Sequence, residues 1–173
     1  VVVFLQDETA GIQVDLSGTS ANPYNGDEII LSGTPVNNTT YITLGSANYE
    51  TTLGNDVEVE PITVTFSQLA SGNYQAQLVK VENVTVSSHS SGYYTLTQGE
   101  NTLYLRDTYE GPYPFTLTNG SIIDLTAIYA HNATHIDFII RDDDDDIFVK
   151  EMRNTSFSYF LPHHLEEYYQ FLE

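Results

Sequence analysis

Along most of the chain apolar and polar residues alternate with a period of two, the pattern of β-strands with one wet face. Val1–Gln6 is an almost unbroken apolar run and reads as a buried strand; Asp7–Gly11 is a turn, and Ile12–Leu16 alternates, so the three make a hairpin. Ser17–Gly26, rich in Ser, Asn, Gly and Pro, is a loop. Strands follow at Asp27–Thr34 and Tyr41–Leu44, with an irregular polar stretch over Ser46–Asp56. Val57–Val64 regains strand character around Pro61, which marks an edge or a strand start. Thr65–Gly72 suits one helical turn. Tyr74–Val86 is the longest alternating strand, and its slip at Glu82–Asn83 predicts a bulge. Tyr93–Leu96 and Thr102–Leu105 form a second hairpin, and Asp107–Thr118, with Pro112 and Pro114, is a loop. Beyond Pro162 the period changes: Leu165, Tyr168, Tyr169 and Leu172 fall on one stripe of a short amphipathic helix.

The pattern repeats. Asn25–Gly45 (NGDEIILSGTPVNNTTYITLG) and the stretch from Asn119 to Ile139 (NGSIIDLTAIYAHNATHIDFI) share one plan at an offset of 94, Asn119 less Asn25. Gly26 meets Gly120, Leu31 meets Leu125, Asn38 meets Asn132, and Ile42 meets Ile136. Self-similarity at a fixed offset is the mark of a duplicated unit. The later copy reads strand, hairpin, long connection, strand, strand, the order of a five-stranded OB barrel. The earlier copy shows only strands two to five. The expected fold is therefore all-β: two tandem OB-like five-stranded barrels, the first lacking its first strand, plus a short C-terminal helix. The modules span residues 1–56 and 57–149, with a tail over 150–173. The absent strand is expected from residues ahead of Val1, from Val57–Val64, or from a neighbouring chain.

Composition narrows the chemistry. Val, Ile, Thr and Tyr, which suit a pleated half-buried surface, dominate. With 24 acidic and 5 basic residues the formal net charge is -19, a surface that repels phosphate backbones and disfavours nucleic acid as a partner. The absence of cysteine excludes disulfides, thiolate metal sites and Fe–S clusters. No apolar run approaches the ~20 residues that span a bilayer. The first residue is Val1 rather than Met, so a processed or incomplete segment is expected, with its targeting illegible.

Asn-x-Ser/Thr triplets at Asn37, Asn38, Asn83, Asn119, Asn132 and Asn154 are candidate glycosylation sites, and Asn38 and Asn132 occupy equivalent loops of the two copies. Asp142, Asp143, Asp144, Asp145 and Asp146 form a run that reads either as a solvated acidic connector or as a weak calcium site. It is not an EF-hand loop, and adjacent residues of an extended chain cannot all face one ion. No other cofactor is expected. His131 with His135, and His163 with His164, lack the further ligands that zinc requires. No Gly-x-Ser-x-Gly, phosphate loop or Cys–His pair is present, so a non-enzymatic chain is expected. Tyr93, Tyr94, Tyr104, Tyr109, Tyr113 and Tyr129 cluster in the second copy. They are either alternating core and wet strand positions or a face for stacking on rings.

Three stretches, FLQDETAGIQV, GDEIILSGT and QLVKVENVTV, together resemble the OB-fold modules of secreted bacterial proteins, the kind found beside extracellular nucleases and in surface or adhesive proteins. The resemblance covers Val2 to Val149. It departs in the second copy, where Thr97–Asn101 replaces the Asp-Glu-Thr turn. It implies a non-catalytic exported module, extracellular or at the cell surface, acting as a structural or adhesive part of a surface assembly or fibre. Self-association or other surface proteins are the partners expected from the absent strand, and carbohydrate the one expected from tyrosines without Arg or Lys around them. The alternative is an accessory module of a secreted hydrolase such as an extracellular nuclease, holding oligosaccharide or single-stranded nucleic acid.

Overall fold

The computed structural model describes residues 2–24, 26–38, 41–71, 73–107, 116–131, 136–140 and 146–151. Its strands are β1 (Val2–Gln6), β2 (Gly11–Asp15), β3 (Glu28–Asn37), β4 (Ile42–Gly54), β5 (Ile62–Thr63), β6 (Leu78–Ser90), β7 (Tyr93–Gln98), β8 (Asn101–Arg106), β9 (Ile122–His131), β10 (Ile136–Ile139) and β11 (Ile147–Glu151). One helical turn, α1 (Phe66–Leu69), stands ahead of β6. The protein is all-β.

Strands β6, β7, β8, β10 and β9 close on themselves, because β9 pairs back onto β6. All neighbours in this ring are antiparallel except β8 and β10, which run parallel over Tyr104–Leu105 and Asp137–Phe138. This is the closed five-stranded barrel of the OB type. Alternation fills it: Val79, Val81, Val84 and Val86 from β6, Tyr94 and Leu96 from β7, Leu105 from β8, and Ile123, Leu125 and Ala127 from β9 are all buried. β6 keeps both valine pairs inside by the predicted bulge. Its register against β9 shifts between Val81 and Val84, and Asn83 takes a left-handed φ of 56°.

The turn α1 stoppers this barrel. Thr65 caps it in a capping box with Gln68, and Phe66 and Leu69 enter the core, Phe66 lying 5.7 Å from Phe138 between ring centroids. Gln98 ties the turn down, accepting from the Phe66 amide at 2.8 Å and donating to the Glu82 carbonyl at 2.8 Å.

The remaining strands make a separate sheet in the order β1-β2-β4-β3. Its connectivity matches β7, β8, β10 and β9 of the barrel: β1–β2 and β3–β4 are antiparallel and β2–β4 parallel. β3 and β9 begin and end 94 residues apart, at Glu28 and Ile122, then Asn37 and His131. The glycines ahead of them, Gly26 and Gly120, share φ of +88°. The sheet nevertheless remains open, so a second closed barrel is not formed by the described residues.

Several boundaries differ from expectation. Ser46–Asp56 is not irregular: β4 continues to Gly54, crossing register shifts against β3. Of Val57–Val64 only β5 is a strand, and it pairs parallel with β6, so it does not supply the open sheet. β11 was not anticipated. It adds to β9 outside the ring. The amphipathic helix expected after Pro162 lies outside the described residues.

Candidate functional site

On β7 and β8 the inward positions are Tyr94, Leu96 and Leu105, so Tyr93, Thr95, Tyr104 and Arg106 point outward together. Tyr93 stands directly across from Arg106, and the rings of Tyr93 and Tyr104 meet edge-on at 6.5 Å. Tyr104 is 41% exposed and offers a ring to solvent. The third strand of the face is β10, whose Asp137 lies opposite Tyr104. Arg106 Nη2 donates to Asp137 Oδ2 at 2.6 Å; the carboxylate side chain is fully buried, whereas the arginine side chain is 34% exposed. A buried carboxylate on the barrel surface thus fixes a planar guanidinium beside two tyrosines. At the end of the same strands His89 Nε2 and Asp107 Oδ2 are 2.6 Å apart, and the His89 ring stacks on Tyr94 at 4.3 Å.

A different outer face, on β6, β9 and β11, is an ion network. Lys150 Nζ reaches Asp124 Oδ2 at 2.8 Å and Asn83 Oδ1 at 3.1 Å, and Lys80 lies 3.5 Å from Glu82. Burial pushes the Asp124 carboxyl up, but donation from Lys150 and the Asn83 amide, with the charges of Lys150 and Lys80, holds it below the usual value. Each lysine and arginine among the described residues therefore has an acidic partner.

Of the candidate ring-binding tyrosines, Tyr93 and Tyr104 lie on the outer face. Tyr94 and Tyr129 do not: both are buried, Tyr94 Oη accepting from the Leu117 amide and Tyr129 Oη donating to the Leu69 carbonyl. Burial also raises the Tyr129 pKa. Tyr109 and Tyr113 lie outside the described residues. Sequence reasoning missed Arg106 and Asp137, since nothing in the one-dimensional pattern pairs residues 31 apart. The parallel β8–β10 register was the signal that would have found them.

Among the described residues no three His, Cys, Asp or Glu side chains gather as a metal site. Of the aspartate run only Asp146 is described. It is buried, and its carbonyl accepts from the Thr126 amide at 2.7 Å. Asp142, Asp143, Asp144 and Asp145 lie outside, as do His135, His163 and His164.

The triplet asparagines are scattered. Asn37 ends β3; Asn38 is exposed and its side chain donates to Thr43 Oγ1 at 3.1 Å; Asn83 sits on the bulge, and Asn119 in the turn before β9. Asn132 and Asn154 fall outside the described residues.

No protein-family model matches the sequence. No curated protein matches it either. Solved structures similar to it include the telomere capping protein Ten1 from Saccharomyces pombe, at 13% identity and a TM-score of 0.41, covering 65% of this chain and 93% of that one. A chain of the S. pombe Stn1–Ten1 complex is similar at 12% identity and a TM-score of 0.40, covering 67% and 97%. Of the resemblance to modules of secreted bacterial proteins, the OB-like barrel holds, in the closed ring of β6, β7, β8, β10 and β9. Both structures are named for telomere capping proteins and not for exported or surface modules, which runs against several expectations. The exported adhesive, fibre or hydrolase-accessory role is withdrawn, with the extracellular location, the glycoprotein reading, self-association, surface-protein or carbohydrate partners, and the exclusion of nucleic acid.

Proposed function

We propose that the chain is a non-catalytic OB-type recognition module that stacks the bases of a short single strand of nucleic acid on the outer face of β7, β8 and β10. The observation that carries this reading is the cluster of Tyr93, Tyr104 and Arg106, with Arg106 held by the buried Asp137. Aromatic rings on an OB face accept any base, because every base has a π-face, and a fixed guanidinium adds a planar donor. In the same reading, residues 1–56 are an OB-like copy without its first strand, residues 57–149 are the complete one, and 150–173 are a tail.

Charge shapes this binding. In a chain of net charge -19 whose described cations are all paired, there is little to displace counterions from phosphates. Affinity must come from the rings, so it is modest and does not fall steeply with salt. The test is fluorescence anisotropy of labelled oligothymidylate against the wild type and Tyr104→Ala at low and high salt. Expected are saturable binding, a loss of about 1–3 kcal/mol in the variant, and little weakening by salt. No binding, or steeply salt-sensitive binding that Tyr104→Ala leaves intact, overturns the reading.

A further inference from the structure

We propose that the first sheet carries a binding site for a quaternary ammonium group, in the cavity between the loop ahead of β3 and the C-terminal half of β4. The cavity measures about 340 Å³, and Tyr24, Asp27, Tyr49, Thr52 and Asn55 line it together with Ser20. Small-molecule sites run from about 300 to 1,000 Å³, so it suits a small ligand.

Hydrogen bonds fix its parts. Asp27 closes a turn on Tyr24: its amide donates to the Tyr24 carbonyl at 3.1 Å, and its Oδ2 accepts from the Tyr24 amide at 2.8 Å. Its Oδ1 accepts from Asn55 Nδ2 at 2.7 Å. Tyr49 Oη and Thr52 Oγ1 satisfy each other at 2.6 Å, and Tyr24 is 76% exposed. Neutral amides thus hold the carboxylate in place beside two tyrosines.

The repeat shows that the fold does not ask for these residues. Gly26 and Leu31 return as Gly120 and Leu125, yet 94 positions on from Tyr24 and Asp27 stand Thr118 and Ser121. Tyr49 pairs with Leu31 where Ile147 pairs with Leu125. The second copy builds the same strand pair without either ring or the carboxylate.

Charge and chemistry select the ligand. All five Lys and Arg lie from Lys80 onward, whereas Glu28, Glu50 and Asp56 directly follow Asp27, Tyr49 and Asn55 in the chain. Such a surface draws cations and repels anions. Aromatic surface beside a carboxylate is the chemistry that holds a quaternary ammonium, through the ring faces and the charge. Each carboxylate oxygen already takes one N–H, which suits a cation with no N–H to satisfy over a primary ammonium with three. The head group arrives either free, as in choline, or on a trimethylated lysine of a protein.

The test is a proton–nitrogen NMR titration of the whole chain. The probes are choline, its uncharged isostere with carbon in place of nitrogen, and short peptides carrying trimethylated or unmodified lysine. Expected are saturable shifts at Tyr24, Asp27, Tyr49 and Asn55 with choline, and none with the isostere. Tyr24→Ala should weaken choline binding by about two- to fivefold, and Asp27→Asn by about fivefold. Undisturbed resonances along β3 and β4 check that both variants fold. Tighter binding of the trimethylated peptide than of choline assigns the group to a protein, and the reverse to a free amine. Four results overturn the proposal: no saturable shift at about 10 mM choline; an isostere or an unmodified-lysine peptide that binds as well as its quaternary counterpart; shifts confined to Tyr93 and Tyr104; or both folded variants binding like the wild type. Base stacking on Tyr104 uses the other sheet, so the two readings fail separately.

Discussion

Arg106 and Asp137, 31 residues apart, meet at 2.6 Å because β8 and β10 run parallel and adjacent in the barrel. The carboxylate side chain is fully buried, so removing the guanidinium takes a charge partner from a group out of reach of bulk water. Arg106→Ala is expected to cost about 3–5 kcal/mol, the range for removing one partner of a buried pair. Urea denaturation measures it. A loss under ~1 kcal/mol, the value of an exposed pair, would show that the pair is not buried in solution.

A second expectation follows from Asp124. Its folded pKa lies below the unfolded value, so the unfolded chain binds more protons in acid. The stabilisation is full above the ordinary carboxylate pKa and is lost as pH falls through the lower, folded value. Asp124→Asn should melt below the wild type at neutral pH, by about 0.5–1 kcal/mol for a pair whose lysine is exposed. The two melting curves should converge as the acid limb is descended. A difference that persists unchanged at the lowest pH would refute the linkage.

The two sheets are joined by side-chain amides. Gln75 accepts from the Ile42 amide at 3.0 Å and donates to the Ile42 carbonyl at 2.8 Å, while Gln6 accepts from the Leu78 amide at 2.6 Å. Gly11 makes room for this contact, since a Cβ there would lie 2.4 Å from the Ala76 carbonyl oxygen. Gly11→Ala should therefore loosen the junction while leaving the barrel folded. Hydrogen exchange should rise at Ile42 and Leu78 and stay constant along β9. Unchanged exchange at Ile42 would place the flexibility elsewhere.

Gly26 and Gly120 adopt the same left-handed φ of +88°. Alanine at either position is expected to cost about 1–2 kcal/mol, the penalty of a Cβ in that region. Chemical denaturation of each variant checks it, and a neutral Gly120→Ala would mean that the turn rearranges without strain.

Local chemistry in the sequence determined much of this protein. The period-two alternation named most strands, Thr65–Gly72 suited one helical turn where α1 stands, and the slip at Glu82–Asn83 marked the bulge. The 94-residue offset revealed duplicated strands, because identical turns need the same glycine and identical faces need the same apolar positions. Strand length was less legible. β4 runs through polar residues to Gly54 because backbone pairing with β3, not side-chain hydrophobicity, holds it there. The earlier copy's lack of a first strand was legible as well; only the tertiary structure decided how far each copy's apolar face is covered. Leu31 and Leu125 are the same residue in the same repeat, yet one is half-covered and the other fully buried. The difference lies in whether a strand crosses between the two edges, a long-range pairing that no local pattern encodes. The same holds for the candidate site: alternation set Tyr94 inside and Tyr104 outside, but it took the parallel β8–β10 register to put Asp137 beneath Arg106.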